Sequence, residues 1–165
     1  MSLAAPARRA WLFAVAVFAL DQAIKLWALF PFDLASKGRV AVLPVFDLVL
    51  IWNTGVSYGL FQQDGALGRW VLVGLHAVAA VVISFWIARE KDPATSAGLA
   101  LILGGAVGNG LDRVVYGAVV DYALLHWREM TWYVFNLADA AIVAGVLLLL
   151  YGALRGLGGA PKAAE

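Results

Sequence analysis

The sequence contains no cysteine and only two histidines, His76 and His126, which are far apart in the chain. Without cysteine the chain can form no disulfide, no thiolate metal site and no thiol nucleophile. Two distant histidines with no ligand spacing to a third group do not favour a zinc or di-iron centre. We therefore expect no metal site.

Charge is also scarce, because only 14% of the residues are Asp, Glu, Lys or Arg and the net charge is +1. This balance gives no reason to expect a nucleic acid or another polyanion as partner. Hydrophobic residues make up 63% of the chain, and the mean hydropathy is +0.84. A soluble domain of 165 residues needs less apolar surface, so the composition predicts a polytopic membrane protein.

Long apolar runs predict four transmembrane helices within a single membrane domain, residues 1–165. The runs cover about 11–30, 70–88, 95–111 and 133–151, and each has a length that can cross a bilayer. The first run follows two arginines and resembles a signal peptide. Its apolar character resumes after Asp21, so we interpret it as an uncleaved helix.

The distribution of basic residues predicts that both termini are cytoplasmic. Two segments then lie outside the membrane. The segment of about 38–63 is rich in β-branched and aromatic residues, which predicts a small extracytoplasmic sheet. The segment 114–132 is expected to form an interfacial loop or helix. The predicted fold class is an all-α polytopic membrane protein with this small sheet attached.

Polar residues that a membrane segment normally excludes gather where the third helix ends and the fourth begins. One loop joins these two ends, so the polar groups lie on the same side of the membrane. They are Asn109, Asp112, Arg113, Asp121, Asn136 and Asp139. Acids at such a depth are costly and are functional candidates by default. Asn136 and Asp139 are three residues apart, so we expect them to share one helical face.

Two carboxylates that lie close together cannot easily both ionise, so one can act as a base and the other as an acid. Such a pair can activate water for attack on a carbonyl group. Spacing alone leaves open whether Asp112 or Asp121 partners Asp139. The structural alternative is that these groups only hydrogen-bond between helices, which accounts for any one residue better than for the whole set.

Two further candidates lie earlier in the chain. Asp21 and Lys25 are four residues apart in the first helix, which predicts an ion pair that lowers the cost of both charges. Asp21 is also expected to hold residues of the site in position without contacting the substrate itself. Asn53 begins the run NTGVSYG, which is typical of a turn, and its functional interpretation is a contact with a substrate backbone.

Two other classes of function remain as alternatives. A proton-coupled transporter would have acids spread through the membrane depth, whereas only Asp21 is near a helix centre. A non-catalytic assembly or lipid-binding protein would use the glycine-rich third helix as a packing surface.

Three motifs carry a family resemblance. Residues 104–113 read GGAVGNGLDR, residues 119–122 read VVDY and residues 135–139 read FNLAD. These motifs resemble the signature blocks of the lipoprotein signal peptidase family, also called signal peptidase II. The pair Asp21-Gln22 with Lys25, and the segment 53–61, resemble its two earlier blocks, so the resemblance covers nearly the whole chain.

The resemblance implies an intramembrane aspartic endopeptidase whose catalytic pair is Asp121 and Asp139. It further implies that four neighbouring residues bind substrate: Asn53, Asn109, Arg113 and Asn136. Three others are implied to support the site: Asp21, Lys25 and Asp112.

The implied reaction removes the signal peptide from diacylglyceryl-modified prolipoproteins by cutting before the lipidated cysteine. The implied enzyme needs no cofactor and lies in the bacterial cytoplasmic membrane with its active site at the outer face. Its expected partners are the lipid-modified prolipoprotein and membrane lipids, and we expect it to be a monomer.

Overall fold

The structure is a computed structural model that describes residues 5–55 and 66–158. Five helices and four strands follow one another along this part of the chain. Their order is α1 (Ala5–Leu29), α2 (Leu34–Lys37), β1 (Val40–Leu43), β2 (Phe46–Asn53), α3 (Ala66–Ile87), α4 (Pro93–Tyr116), β3 (Val119–Trp127), β4 (Met130–Phe135) and α5 (Leu137–Gly158).

Four of these helices are long and apolar enough to cross a membrane, as expected from the sequence. The candidate spans in the described residues are Ala7–Leu29, Ala66–Ile87, Pro93–Tyr116 and Leu137–Arg155. The helix α4 is central, because it packs against α1, α3 and α5. Of its most apolar stretch 56% is buried inside the protein, against 11% for α3. The other three helices therefore expose most of their apolar surface.

Glycines allow α4 and α5 to approach closely. A Cβ atom placed on Gly145 would lie 2.5 Å from the carbonyl oxygen of Gly98, and one on Gly98 would lie 2.9 Å from that of Gly145. Small residues at such crossings let membrane helices pack backbone against backbone. This contact fixes how α4 and α5 lie relative to each other, and both helices carry residues of the site.

The four strands form one antiparallel sheet in the order β1-β2-β3-β4. The register pairs Ile51 with Asp121 and Asn53 with Val119, so Asn53 and Asp121 lie on adjacent strands at the same end of the sheet. The sheet packs beside the last turn of α1, where Ala28 contacts a cluster that includes Tyr122 and Ala123. Asp121 is thus placed next to the helix ends.

Two expectations about the fold are wrong. The protein is not all-α, because residues 119–127 and 130–135, part of the segment expected to be an interfacial loop or helix, form β3 and β4. The fourth predicted membrane span corresponds to α5, which begins at Leu137 and not at 133, because β4 occupies the residues before it. The sequence signal was ambiguous there, since short apolar runs fit a strand or a helix equally well.

The remaining bounds differ by smaller amounts. The third predicted membrane span corresponds to α4, which extends from Pro93 to Tyr116 instead of ending near 111. Asp92 caps the first turn of α4 by accepting a hydrogen bond from the Thr95 N–H at 2.7 Å. The expected outer sheet of about 38–63 is present as β1 and β2. Its last part, 56–63, lies outside the described residues.

We predict that Gly145→Ala destabilises the protein by about 1–3 kcal/mol, because the added methyl group meets a backbone carbonyl that cannot move aside. Thermal unfolding in lipid nanodiscs measures the change. Gly74→Ala is the matched control, since a Cβ at Gly74 meets nothing within 4 Å and should leave stability unchanged or slightly higher. Equal unfolding temperatures for the two variants would contradict the close helix contact.

Candidate active site

Asp121 lies near the start of the inner strand β3 and is almost fully buried, with 1% of its surface exposed. Each carboxylate oxygen accepts a hydrogen bond from a side-chain amide. The Asn136 Nδ2 donates to Oδ1 at 2.7 Å, and the Asn53 Nδ2 donates to Oδ2 at 3.0 Å. No ion pair to Asp121 is present in the described part of the chain, so its charge is solvated only by neutral amides.

Asp139 lies in the first turn of α5, where it forms a reciprocal cap with Asn136. The Asp139 backbone N–H donates to Asn136 Oδ1 at 2.9 Å, and the Asn136 backbone N–H donates to Asp139 Oδ2 at 3.2 Å. This is the arrangement of a capping box, with an acid three residues after the capping side chain. The expectation that Asn136 and Asp139 share a helical face is therefore wrong, because Asn136 precedes the helix and caps it.

Asn136 contacts both carboxylates, Asp121 through its side-chain Nδ2 and Asp139 through its backbone N–H. Its Nδ2 donates to Asp121, its Oδ1 accepts from the Asp139 N–H, and the residue is fully buried. A second amide, Asn109 on α4, donates from Nδ2 to Asp139 Oδ1 at 2.8 Å. Asn136, which precedes α5, and Asn109 on α4 thus hold the carboxyl groups of Asp121 and Asp139.

The electrostatic environment of Asp121 favours its protonated form. Burial, and after it the negative charge of Asp139, raise the pKa of Asp121 from 3.8 to about 7. The hydrogen bonds from Asn53 and Asn136 lower this pKa and offset part of the effect. A carboxyl group with a pKa near neutrality can give or take a proton at physiological pH.

Lys25 is the centre of a buried ion-pair cluster directly behind this site. Its Nζ lies 2.8 Å from Asp21 Oδ2 and 2.7 Å from Asp112 Oδ2, and it donates to Asn109 Oδ1 at 3.0 Å. The predicted pair of Asp21 and Lys25 is confirmed, and Asp112 joins it from α4. Because the Asn109 oxygen faces Lys25, its NH2 group must face Asp139.

Asp112 and Asp121 differ in their partners, which bears on the choice that spacing left open. Asp112 accepts hydrogen bonds from the Val120 N–H at 3.1 Å and the Gln22 side chain at 3.0 Å in addition to its ion pair with Lys25. The Asp112 carboxylate is therefore paired with a cation, and both of its oxygens accept hydrogen bonds. Asp121 has amide donors only, and it is the carboxylate that shares Asn136 with Asp139.

Asp21 links α1 to the same site. Its Oδ1 accepts a hydrogen bond from the Ala138 N–H at 2.9 Å, and Ala138 precedes Asp139 in the first turn of α5. The first N–H groups of a helix have no partner within the helix, so a carboxylate from a neighbouring helix stabilises this end. Asp21 therefore fixes the start of α5 and with it the position of Asp139.

Asn53 and Arg113 hold the segment that follows β2. The Gly55 N–H donates to Asn53 Oδ1 at 3.0 Å, and the buried Arg113 guanidinium donates to the Gly55 carbonyl oxygen at 2.5 Å. Residues 56–61, the rest of this sequence block, lie outside the described residues. The segment 53–55 is thus anchored to α4 beside Asp121.

Two residues of the site were missed by the sequence analysis. Gln22 donates to Asp21 and Asp112, and its place between Asp21 and Lys25 in the motif was a signal that could have identified it. Tyr133 accepts a hydrogen bond from Asn53 Nδ2 at 2.9 Å. No sequence signal pointed to Tyr133, because its approach depends on the pairing of β3 with β4.

A metal-binding arrangement is not found among residues 5–55 and 66–158, where no three His, Asp or Glu side chains are grouped to hold an ion. The cluster consists of amides and of carboxylates that already have donors. Carboxyl groups held in this way can give or take protons.

Comparison with solved structures defines the class of protein. The fold matches two bacterial membrane enzymes determined by the in meso method. One, at 2.3 Å resolution, aligns with a TM-score of 0.79 and 21% identity over 95% of this chain and 94% of that one. The other, at 1.9 Å resolution, has a TM-score of 0.73 and 22% identity over 89% and 93%. The fold is therefore that of a polytopic membrane enzyme.

The family follows from sequence comparison. The chain belongs to the signal peptidase (SPase) II family, whose model matches residues 13–155. It is 51% identical to a lipoprotein signal peptidase of Rhodopseudomonas palustris, covering 92% of this chain and 95% of that protein. It is 52% identical to a lipoprotein signal peptidase of Nitrobacter hamburgensis, covering 88% and 92%. The resemblance seen in the motifs is confirmed.

We predict that Lys25→Met destabilises the protein by about 3–5 kcal/mol, because it leaves Asp21 and Asp112 buried without a counter-charge. Thermal unfolding in nanodiscs measures this loss, and adding Asp112→Asn to the variant should recover part of it. Lys37→Met, at an exposed lysine, serves as control. Equal stability of the Lys25 and Lys37 variants would contradict the buried cluster.

The raised pKa of Asp121 predicts a specific pH dependence of stability. An unfolded aspartate ionises near 3.8, whereas folded Asp121 keeps its proton up to about pH 7. The unfolded state gains from ionisation across this window, so the wild-type protein loses stability as the pH rises through it. A difference of roughly 3 between the two pKa values corresponds to roughly 4 kcal/mol.

Asp121→Asn removes this titration, so its stability relative to wild type should improve between about pH 4 and about pH 7. Chemical unfolding at several pH values measures the trend. Asp47→Asn is the contrast, because the hydrogen bond from Arg39 lowers the pKa of Asp47 and its removal gives no such gain. Parallel stability curves for wild type and Asp121→Asn would contradict the raised pKa.

Proposed function

We propose that this chain is an aspartic endopeptidase that removes the signal peptide from diacylglyceryl-modified prolipoproteins. The relatives named lipoprotein signal peptidase support the substrate class. The observation that carries the catalytic assignment is that the carboxylates of Asp121 and Asp139 both accept hydrogen bonds from one buried residue, Asn136. The cut is placed before the lipidated cysteine, as the family resemblance implies.

The reaction uses the two carboxyl groups as acid and base. At neutral pH the shared proton resides on Asp121, and Asp139 carries the negative charge. Asp139 takes a proton from a water molecule as that water attacks the scissile carbonyl carbon. Asp121 donates its proton to the carbonyl oxygen, which gives a tetrahedral diol. Asp139 then passes the proton it took from water to the leaving nitrogen, Asp121 takes a proton back from a diol hydroxyl, and the C–N bond breaks to give a carboxyl group and an amine. No covalent bond to the enzyme forms.

The neighbouring amides position the acids in this proposal. Asn109 and Asn136 direct their N–H groups at the carboxylates, so each carboxyl group keeps one orientation through the reaction. We assign these two residues to holding the dyad and not to binding substrate. Asn53 and Arg113 hold residues 53–55 beside Asp121, where this backbone can face the substrate peptide.

The location of the site suits a substrate that is itself anchored in the membrane. Asp121 and Asp139 lie where α4 ends and α5 begins, and roughly two helical turns of α1 extend past Asp21 to Leu29. A lipid-bearing precursor would present its scissile bond at this level. The basic residues near both termini favour the outer face of the cytoplasmic membrane for this end.

The direct test measures cleavage of a purified diacylglyceryl-modified precursor by the protein in nanodiscs. Asp121→Asn and Asp139→Asn should each reduce kcat by a factor of about 1,000 or more, because neither variant can pass a proton between two carboxyl groups. Binding of the precursor should persist. Asp47→Asn, which alters a buried carboxylate on the neighbouring strand β2, should cleave at the wild-type rate.

Retention of cleavage by either site variant would contradict the dyad. Loss of binding together with cleavage in both would favour a structural role for the two acids. If the dyad variants cleaved normally while the precursor remained the substrate, another set of residues on this chain would have to perform the reaction.

The pair should also give a bell-shaped dependence of kcat/KM on pH, because the active form holds one proton between two acids. With the pKa of Asp121 at about 7, activity should decline as the pH rises above that value. Initial rates across the pH range, at precursor concentrations well below KM, measure the profile. A rate that stays constant through pH 7 and above would contradict the assignment of Asp121 as the acid.

A further inference from the structure

One face of the hairpin formed by β3 and β4 is apolar and exposed. Its side chains are Leu125, Trp127, Met130 and Trp132, with 42%, 66%, 75% and 74% of their surfaces exposed. Trp127 and Met130 are register partners. Leu125 and Trp132 are each two residues away from them, and alternate strand residues point to the same face. We call these four residues the hairpin apolar face.

At the tip of the hairpin the opposite face is polar. His126 pairs in register with Thr131, and the His126 Nε2 lies 3.2 Å from Asp47 Oδ1. The two faces therefore differ sharply in polarity within a few residues. Exposed apolar surface concentrated on one face in this way marks a contact with a membrane or a partner, whereas scattered apolar residues do not.

The position of the hairpin identifies what covers the apolar face. Strand β3 runs beside the last turn of the membrane-spanning helix α1, where Tyr122 and Ala123 pack against Ala28. The sheet thus lies alongside this helix end. At the same end of the bundle α1 exposes Trp27 and α3 exposes Trp70, which is the distribution expected at a bilayer interface. The hairpin apolar face adds two further exposed tryptophans, Trp127 and Trp132, on the sheet that packs beside this helix end.

We propose that the hairpin apolar face inserts into the phospholipid interface of the leaflet that borders the site. Tryptophan is the residue best suited to this depth, since its ring is apolar and its N–H can remain hydrated. The proposal concerns lipid contact and does not depend on the catalytic roles of Asp121 and Asp139.

Lipid contact at this hairpin has a consequence for the site. Trp127 and Asp121 lie on the same strand, roughly 20 Å apart at about 3.3 Å per residue. An anchor at one end of β3 and the helix ends at the other hold the strand at a defined depth. Asp121 is then kept level with the lipid interface, even though it lies outside the membrane-spanning helices.

The absence of cysteine makes a clean test possible, because single-cysteine variants of the full chain carry one spin label each. We would label Met130→Cys on the hairpin apolar face and Thr131→Cys on the opposite face in phospholipid nanodiscs. Trp132→Cys is a second probe of the apolar face in case Met130→Cys folds poorly. References are Val78→Cys on the exposed surface of α3 and Lys37→Cys at an exposed charged position.

The measured quantity is the ratio of collision rates with oxygen, which partitions into lipid, and with a water-soluble nickel complex. The proposal predicts that the ratio of oxygen to nickel collisions for labels at Met130 and Trp132 exceeds the ratio at Thr131 several-fold and approaches the ratio at Val78. The ratio at Thr131 should resemble that at Lys37. Free access of the nickel complex at 130 and 132 would overturn the proposal. Protection of both positions from both reagents would also overturn it, because this would indicate a protein partner or a second copy of the chain.

Discussion

The amide of Asn136 is the contact on which the rest of the site depends. It donates to the Asp121 carboxylate on the sheet and accepts from the Asp139 N–H in the first turn of α5, which Asn136 caps. The Asn136 backbone N–H donates in turn to the Asp139 carboxylate, so one residue contacts both carboxyl groups. The ion-pair cluster of Lys25, Asp21 and Asp112 also fixes the carboxyl group of Asp139. Lys25 pairs with both Asp21 and Asp112 and donates a hydrogen bond to the oxygen of Asn109, so the NH2 group of Asn109 is directed at Asp139.

The polar cluster and the close helix packing both hold α1, α4 and α5 together around the site. Gly98 and Gly145 bring α4 and α5 into backbone contact, and Asp21 attaches α1 to the first turn of α5. Burial then raises the pKa of Asp121, an effect that a looser, hydrated arrangement would lose. Burial of Asp121 costs stability at neutral pH, because its carboxyl group ionises less readily in the folded protein than in the unfolded chain.

The four membrane-spanning helices were predictable from hydropathy, because a long apolar segment can cross a bilayer as a helix that satisfies its own backbone hydrogen bonds. The pairing of β3 with β4 was not, since residues 122–127 alternate too weakly to separate a strand from an interfacial helix. In the site, the spacing of Asp21 and Lys25 predicted their ion pair directly. The capping role of Asn136 was missed because it depends on where α5 begins, and Tyr133 was missed because strand register brings it to Asn53.

The central claim is that Asp121 holds a proton beside Asp139 at neutral pH, and an infrared titration of the protein in lipid tests it most directly. A protonated-carboxyl band should disappear with a midpoint at about pH 7 and be absent from Asp121→Asn. In Asp139→Asn the midpoint should fall, because the neighbouring negative charge is removed. A wild-type spectrum with no protonated carboxyl group at neutral pH, or a midpoint unchanged by Asp139→Asn, would contradict the account.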